Sequence, residues 1–351
     1  MTRKAKAIGL ISGGLDSTLA LALVKQQGVE VKAVTFYTGF CITETQRRRG
    51  GRADGSMPRN EALRAAADLE SDVELVDISG PEYLEMVLHP RFGYGANANP
   101  CVDCRIFMMR KAKEIMEREG ADFVFTGEVL GQRPKSQRRD TLRIIERESR
   151  MDGRLLRPLS AKLLKPTIAE EEGLVDRERL LDVSGRGRQR QIRLAGEIGL
   201  ADWPQPAGGC CFLTDESFSK KFFDLLGARE AAGEGRRITQ EEVLLLTVGR
   251  HFRLSARAKL IIGRNEMENA LLEHHVEGRA RLETAGVMGP LALVEGAPTP
   301  EDRRLAASIV ARYGKAKDEP RARVEWREGD RSELLDVEPA RDEARLEGMR
   351  I

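Results

Sequence analysis

The feature that most constrains the fold is a short stretch near the start of the chain, AIGLISGGLDSTLALALVKQQG at residues 7–28. An apolar run ends at Ser12, Gly13 and Gly14, and a helical pattern begins directly after Asp16. A buried strand that turns at glycines into a helix presents backbone N–H groups and the positive end of the helix dipole at the turn. The stretch therefore predicts an anion-binding loop between a strand and a helix.

The first half of the chain continues this alternation of strands and helices. Apolar runs and helical periodicity predict strands at 6–12, 30–38, 72–79 and 121–128, and helices at 16–27, 60–69 and 104–119. Strands joined by helical crossovers form a parallel, doubly wound, Rossmann-like α/β sheet. Because ligands bind such sheets at the carboxyl ends of the strands, we expect the glycine loop, Thr38 and Gly127 to lie at one edge.

Composition excludes several other classes of protein. Of the 351 residues, 41% are hydrophobic and 32% are charged, which indicates a globular rather than a disordered chain. No window approaches the roughly eighteen apolar residues of a membrane span, and residues 1–6 lack a signal peptide, so we expect a cytoplasmic protein without membrane contact. The net charge of +2 excludes a polycation.

Changes in pattern along the chain predict four segments. The boundaries are 1–182 for a nucleotide-binding domain, 183–236 for a basic, cysteine-containing helical extension, 237–314 for a smaller α+β domain and 315–351 for a charged tail. The last segment is dense in charges of both signs, and we expect it to be peripheral.

The loop SGGLDS has the groups that an anion site needs. Ser17 adds a hydroxyl, and Asp16 can hold a magnesium ion or orient the loop. No lysine follows the glycines, so the pattern differs from the P-loop of other nucleotide-binding proteins. A simple capped turn is the alternative for a bare SGG, but the position between a strand and a helix favours phosphate binding.

The SGGLDS motif resembles the signature of the PP-loop ATP pyrophosphatases, whose fold is the adenine nucleotide α-hydrolase-like variant of the Rossmann fold. The resemblance implies that ATP, with Mg²⁺, is cleaved between its α and β phosphates and that AMP is transferred to a carbonyl oxygen. It also implies a set of ATP-binding residues, with the adenine near the end of the second strand: Ser12, Gly13, Gly14, Asp16, Ser17, Thr35, Phe36, Gly127 and Glu128.

Five cysteines remain to be explained, and their odd number argues against a disulfide scaffold. Cys101 and Cys104 form a CxxC before a helix, and Cys210 and Cys211 follow two glycines. Plain burial of small residues is one alternative. Adjacent cysteines cannot easily bind one ion together, so the set offers three thiolates: Cys101, Cys104 and one of the adjacent pair, either Cys210, which directly follows Gly209 and is favoured, or Cys211. We assign no role to Cys41.

Three thiolates on a four-iron cluster would leave one iron open for a sulfide. The cysteines therefore favour a sulfur-delivery site with a [4Fe–4S] cluster. Zinc, or a cysteine persulfide without metal, are the alternatives.

The cysteines also resemble those of the tRNA thiolation branch of the PP-loop family, the 2-thiouridylase and 4-thiouridine-synthase-like enzymes. Three further stretches carry this resemblance: TGEVLGQRPKSQ at 126–137, RPLSAKLL at 157–164 and AGGCCFLTD at 207–215. The resemblance implies an ATP-dependent tRNA uridine sulfurtransferase that adenylates a uridine carbonyl oxygen before sulfur displaces AMP. Its partners would be tRNA and a sulfur donor, either sulfide or a cysteine desulfurase, and a homodimer is compatible with it.

Two polar stretches are candidates for contact with phosphate or RNA. They contribute Gln132, Arg133 and Lys135 from one loop and Arg186, Arg188 and Arg190 from a basic turn. Arginine and lysine at such positions bind nucleic-acid backbones without reading sequence, although a solvated loop is the alternative. GRNEMEN at 263–269 and GVMGPLALVEG at 286–296 resemble an NFACT-R-type domain, which implies an RNA-associated module.

Two other functions compete with sulfur transfer. A PP-loop synthetase that forms an amide or another nitrogen bond, with structural zinc at the cysteines, predicts no dependence on sulfur. A non-catalytic RNA-binding protein on a degenerate nucleotide fold would be indicated by loss of Asp16 or the loop glycines, all of which are present.

Overall fold

The computed structural model describes residues 4–42, 45, 60–200, 203 and 211–351. The chain divides into two compact units. The first comprises Met1–Glu44 and Pro58–Thr214, and the second comprises Thr45–Met57 and Asp215–Ile351. In the part of the chain that is described, no helix combines the length and apolar character needed to cross a bilayer.

The first unit is built on a five-stranded sheet. Its strands are β1 (Lys6–Leu10), β2 (Glu30–Tyr37), β3 (Val73–Asp77), β4 (Phe123–Thr126) and β5 (Leu155–Leu156). They pair in the order β3-β2-β1-β4-β5, and every pairing is parallel. The parallel α/β sheet predicted from the sequence is confirmed.

Helices cover both faces of this sheet. They are α1 (Leu15–Lys25), α2 (Glu61–Asp68), α3 (Pro81–Leu88), α4 (Cys101–Glu119), α5 (Arg139–Ser149), α6 (Ile168–Glu171) and α7 (Gln189–Glu197). On β1, Ala7 belongs to the core that includes α1 and α2, whereas Ile8 belongs to the core that includes α4 and α5. Successive residues of a strand face opposite sides, so the unit has three layers.

The path of the chain places the glycine loop after β1, the central strand of the sheet. After β1 the chain runs outward to β2 and β3, and it then returns to β4 on the other side of β1. Loops after β1 and β4 therefore flank the switch point, where α/β sheets bind ligands. Helix α4 starts at Cys101, three residues before the predicted start, so its first turn contains both CxxC cysteines.

The second unit is an antiparallel sheet with helices. Its strands are β6 (Arg250–Ser255), β7 (Ala258–Ile262), β8 (Ala280–Thr284), β9 (Ala292–Gly296), β10 (Ala322–Glu328) and β11 (Arg331–Val337). They pair in the order β11-β10-β8-β9-β7-β6. The helices are α8 (Glu216–Ala231), α9 (Gln240–Leu246), α10 (Glu266–Glu273), α11 (Pro300–Arg312) and α12 (Glu343–Met349). This is the smaller α+β organisation that the sequence predicted.

The charged segment 315–351, which we expected to be peripheral, contributes two strands to this sheet. Ala322, Val324 and Trp326 are buried on β10, while the residues between them are charged and less buried. Such alternation is typical of a strand with one face on a core and the other in solvent. The charged residues Arg323 and Glu325 therefore lie on the less buried face of a strand and do not belong to a tail.

A lysine is buried in the second unit. Lys221 on α8 is 7% exposed, and its Nζ lies 3.4 Å from the carbonyl oxygen of Leu246 and 3.3 Å from that of Gly249. Burial, with a smaller contribution from Arg264, lowers the pKa of Lys221 to about 8. The other charged groups near it are Glu268, Lys259 and Asp215.

This lysine predicts that the second unit gains stability as the pH rises. An unfolded lysine has a pKa of about 10.4, so between pH 8 and that value the unfolded chain binds more protons than the folded one. The free energy of unfolding should rise by about 3 kcal/mol across this window in the natural protein. In Lys221→Met the free energy of unfolding should rise by about 3 kcal/mol less, because methionine has no ammonium proton to release.

Urea unfolding at pH 7 and pH 10, followed by Trp326 fluorescence in a Trp203→Phe background, measures this difference. Lys220→Met is the control, because Lys220 is the exposed neighbour of Lys221. In this variant the free energy of unfolding should rise between pH 7 and pH 10 as much as in the natural protein. Equal slopes for Lys221→Met and the natural protein would contradict the assignment.

Candidate nucleotide and thiol site

The glycine loop joins β1 to α1 and has a fixed shape. Gly13 has φ +76°, and a Cβ there would lie 2.2 Å from the backbone carbon of Glu61 at the start of α2, so only glycine fits. The Ser17 hydroxyl donates to the carbonyl of Gly14 at 2.9 Å and accepts from the N–H of Ser12 at 3.2 Å. These bonds close the loop over the first turn of α1.

Asp16 lies in the first turn of α1. The side-chain amide of Gln132 donates to its Oδ2 at 3.0 Å, and Nη2 of Arg188 lies 3.8 Å from the same oxygen. Its Oδ1 is buried and has no hydrogen-bond partner among the described residues. A buried carboxylate oxygen with unused lone pairs fits a hard cation such as Mg²⁺.

Gly127, directly after β4, packs against the first turn of α1. A Cβ at this position would lie 2.4 Å from the backbone nitrogen of Ser17 and 2.5 Å from the backbone carbon of Asp16. The close approach therefore requires glycine. Thr35 and Phe36 are half-buried on β2, the strand next to β1. The predicted ATP residues thus lie on three adjacent strands or the loops that follow them.

Glu128, predicted to reach the ATP site, is held by two arginines. It is 3% exposed, its Oε2 accepts from Nε of Arg157 at 3.1 Å, and its Oε1 lies 3.6 Å from Nε of Arg105. Arg157 is itself buried and also pairs with Glu146. Two guanidinium groups balance the buried charge of Glu128 and tie the end of β4 to α4.

Thiols from separate segments surround the hydroxyl of Tyr83, a buried residue of α3. The Cys104 sulfur lies 3.2 Å from the tyrosine oxygen. Burial raises the pKa of Tyr83 well above its usual range, and the neighbouring Cys104, Cys211 and Cys41 raise it further. The tyrosine therefore keeps its proton at neutral pH, and its hydroxyl can donate a hydrogen bond to a thiolate sulfur. Neither Tyr83 nor Cys41 was predicted from the sequence.

Backbone contacts bring the Cys211 segment to the others. Cys41 and Cys211 face each other as an isolated antiparallel bridge, and the N–H of Phe212 donates to the carbonyl of Phe40 at 2.9 Å. The side chain of Asn97, in the loop before α4, donates to the carbonyl of Thr214 at 2.8 Å. The Cys211 segment is thus anchored both to the end of β2 and to the loop that leads into the CxxC.

The other predicted cysteines are less connected to this group. The side-chain amide of Asn99 donates to the Cys101 sulfur at 3.2 Å. Cys210, the favoured third ligand, lies outside the described residues. Within the described part of the chain, no three His, Cys, Asp or Glu side chains are arranged to hold a metal ion. The described thiols alone therefore do not form the ligand set predicted for an iron–sulfur cluster or zinc.

Arg105 connects the thiols to the nucleotide loop. It follows Cys104 on α4 and reaches Glu128, whose neighbour Gly127 touches the first turn of α1. Helix α4 lies between β3 and β4 in the chain, so it starts near the carboxyl end of β3 and runs back along the sheet. Its first turn therefore lies at the carboxyl ends of the strands, as the glycine loop does. The loop and the thiols therefore occupy the same edge of one sheet.

The residues predicted to contact phosphate or RNA have different environments. Lys135 donates to the carbonyl of Gly93 at 3.0 Å, and Arg190 pairs with Asp182 at 2.5 Å. Arg133 and Arg186 are exposed. Arg188 and Gln132 are the two members that lie beside Asp16, as described above.

Comparisons with known proteins match the two units separately. Residues 2–168 match the family model of the thiamine biosynthesis protein (ThiI), and residues 249–347 match that of the NFACT protein RNA binding domain. The tRNA-specific 2-thiouridylase MnmA of Syntrophotalea carbinolica is 34% identical over 121 residues, which cover 33% of this chain and 32% of that protein. A probable tRNA sulfurtransferase of Thermococcus kodakarensis is 29% identical over 154 residues, covering 44% and 36%.

The chain thus spans about a third of the length of the curated relatives that it matches. A solved 4-thiouridine synthetase, in complex with RNA and ATP, is 22% identical and covers 56% of this chain and 41% of its own, with a TM-score of 0.37. That likeness is too low to support a conclusion. The family models and relatives agree with the motifs: residues 2–168 are similar to the ThiI family and overlap the stretch shared with tRNA-thiolating relatives, and residues 249–347 are similar to the NFACT protein RNA binding domain.

Proposed function

We propose that this protein is an ATP-dependent tRNA uridine sulfurtransferase. One observation carries the proposal: Asp16, whose Oδ1 has no hydrogen-bond partner among the described residues, and the Cys104–Tyr83 pair lie at the same edge of the sheet. Arg105, Glu128 and Gly127 connect the two. A nucleotide loop alone would serve many synthetases. A group of thiols at the same edge adds a carrier for sulfur.

In the first step the glycine loop binds ATP. Backbone N–H groups at the start of α1 face the pyrophosphate, and Arg188 offsets its charge, while the Ser17 hydroxyl, which donates to the Gly14 carbonyl, holds the loop in shape. Asp16 would hold Mg²⁺, which neutralises phosphate charge when bound. A uridine carbonyl oxygen attacks the α-phosphorus, the bond to the β-phosphate oxygen breaks, and pyrophosphate leaves. The uridine must be flipped or unpaired for its carbonyl to reach the phosphate.

In the second step sulfur replaces the activated oxygen. A sulfur nucleophile attacks the adenylated carbon, and the C–O bond breaks as AMP leaves with the electron pair. The Tyr83 hydroxyl, 3.2 Å from the Cys104 sulfur, stabilises negative charge on that sulfur. The sulfur comes from a cysteine desulfurase, which passes it from its own persulfide to a thiolate of this protein, or from sulfide, which attacks the adenylated carbon directly. A cluster that includes Cys210 is the alternative carrier, and iron analysis of anaerobically purified protein distinguishes the two.

Recognition of tRNA is assigned to both units. The second unit matches the NFACT RNA-binding domain, and the first unit exposes Arg133 and Arg186. Contacts of exposed arginines with phosphates weaken as salt rises, so tRNA affinity should fall steeply between low and physiological salt.

The decisive assay uses anaerobic full-length protein with ATP, Mg²⁺, a sulfide source and tRNA. We expect AMP, pyrophosphate and a thionucleoside, each detected by mass spectrometry. AMP formation without any thionucleoside, in protein whose thiols and iron content are intact, would contradict sulfur transfer and favour another PP-loop synthetase.

The tyrosine gives this assay a matched pair of variants. Tyr83→Phe removes a hydrogen bond to sulfur, and we expect the rate of thionucleoside formation to fall about tenfold, the equivalent of one such bond. Tyr94→Phe removes a hydroxyl that donates to two backbone carbonyls, those of Val87 and Leu88, and should retain the natural rate. Equal rates for the two variants would exclude a role for the Tyr83 hydroxyl.

A further inference from the structure

A cavity lies in the first unit between α5, β5 and residues 161–170. It encloses about 410 Å³, which is within the size range of small-ligand sites. Leucine side chains, those of Leu142, Leu155 and Leu164, line its apolar part. None of the residues predicted to bind ATP belongs to its lining, so binding of ATP at the glycine loop does not account for this cavity.

Cationic side chains outnumber acidic ones in the lining by five to three. One of the acids, Glu170, is paired with Arg177, and a second is paired with the buried arginine of the cavity. Arg143 and Lys165 are exposed and form no ion pair with any described residue. Two cations without a counter-charge beside one cavity favour an anionic occupant.

The buried arginine of the lining is Arg157, which is 2% exposed. Its Nε and Nη1 pair with Glu128 and Glu146, whereas its Nη2 has no hydrogen-bond partner among the described residues. Buried polar groups in proteins are nearly always hydrogen-bonded, so an unused guanidinium donor in the lining favours a ligand that accepts hydrogen bonds. Phosphate oxygens are strong acceptors for arginine.

Four exposed arginines form a cationic row along α5 and its end: Arg139, Arg143, Arg147 and Arg150. The first three are four residues apart, so they lie on one face of the helix and are separated by about 6 Å along its axis. Arg147 also contacts Glu148 at 3.2 Å. Arg150 lines a neighbouring depression of about 480 Å³. The row therefore continues beyond the cavity, as expected of a surface that follows a chain of phosphates.

We propose that the cavity and the cationic row bind a single-stranded stretch of the tRNA substrate. Phosphates of the strand contact the row and Lys165, and one unpaired base rests on the apolar part of the cavity. The row favours a strand over a free mononucleotide, because one phosphate cannot contact cations spread along a helix. This role rests on the proposed sulfurtransferase function, in which tRNA is the substrate.

The test measures binding of labelled RNA to the full-length protein by fluorescence anisotropy, without ATP or a sulfur donor. The probes are a tRNA transcript and a short oligouridylate. Arg143→Gln/Lys165→Gln removes the two exposed, unpaired cations, and we expect its affinity for both probes to fall about tenfold at physiological salt. For the oligouridylate, the slope of log affinity against log salt should become shallower by about 1.4, the contribution of two phosphate contacts on a single strand.

Arg118→Gln/Arg179→Gln is the matched control, because it removes the same charge from exposed residues of the first unit that line neither depression. The control should bind both probes as the natural protein does. Equal affinities of the two double variants would overturn the proposal. So would a loss of affinity for uridine monophosphate with unchanged affinity for the oligouridylate, since the cavity would then hold a free nucleotide.

Crosslinking locates the bound strand. Ultraviolet irradiation of an oligonucleotide that contains 5-bromouridine should attach it to residues 139–147 or 161–167, as mapped by mass spectrometry. Crosslinks confined to the second unit would contradict the proposal.

These readouts do not depend on sulfur transfer. If the natural protein binds RNA through this surface but makes no thionucleoside, the sulfurtransferase function fails while the surface stands. If the natural protein makes thionucleoside and Arg143→Gln/Lys165→Gln binds tRNA with the natural affinity, the surface is rejected and the function stands.

Discussion

Replacing Asp16 with asparagine is expected to lower the rates of AMP and thionucleoside formation about 100- to 1,000-fold, the usual effect of removing one electrostatic group from an active site. Asparagine has nearly the same shape, so the loop and its bond to Gln132 should be kept. What is lost is the negative charge at Oδ1, the buried oxygen that has no hydrogen-bond partner among the described residues. A neutral amide binds Mg²⁺ more weakly than a carboxylate does, so the variant should also need more Mg²⁺.

The matched control is Asp152→Asn, which makes the same change at an exposed residue between α5 and β5. Both variants should unfold at the temperature of the natural protein, and only Asp16→Asn should lose activity. Steady-state AMP formation at several Mg²⁺ concentrations measures the effect. If Asp16→Asn kept more than half of the natural rate at saturating Mg²⁺, Asp16 would have no part in binding the nucleotide.

The fold of the first unit could be predicted because its central strands, β1 and β4, are buried on both faces. Ala7 and Ile8 face different layers and are both fully buried, so β1 reads as a continuous apolar run, which is typical of a parallel strand under helices. The glycine loop was equally accessible to prediction, since its strand, turn and helix are contiguous in the sequence.

The thiol group was harder to predict because it depends on where separate strands end. Cys41 follows β2, Tyr83 follows β3, and Cys211 is more than a hundred residues beyond both. No local pattern indicates that these three residues meet. The topology alone places the ends of β2 and β3 side by side, which is a signal that could have directed attention to Cys41.

Charge was a misleading guide in two places. Residues 322–326 alternate apolar and charged residues, a pattern that indicates a strand, but the high charge of the surrounding segment favoured a tail. Arg157 resembles any other basic residue in the sequence, yet its guanidinium is buried. A buried arginine cannot be recognised from its neighbours along the chain, because its partners Glu128 and Glu146 are distant in sequence.

That burial makes Arg157→Met the substitution with the largest expected effect on stability. Removing the guanidinium leaves Glu128 buried, with Arg105 at 3.6 Å as its remaining ion-pair contact among the described residues. Removal of one partner from a buried ion pair typically costs about 3–5 kcal/mol, since the other charge stays desolvated. We therefore expect the free energy of unfolding of the first unit to fall by about that amount.

Urea unfolding followed by Trp203 fluorescence, in a Trp326→Phe background, measures the change. Arg154→Met makes the same substitution at an exposed position, and it should cost no more than about 0.5 kcal/mol. In Glu128→Gln/Arg157→Met no Glu128 charge remains to be compensated, so the double variant should be more stable than Arg157→Met alone. Equal stability of the single and double variants would show that the cost comes from lost packing of the arginine and not from an unpaired carboxylate, and Glu128 would then be open to bind a cation at the nucleotide site.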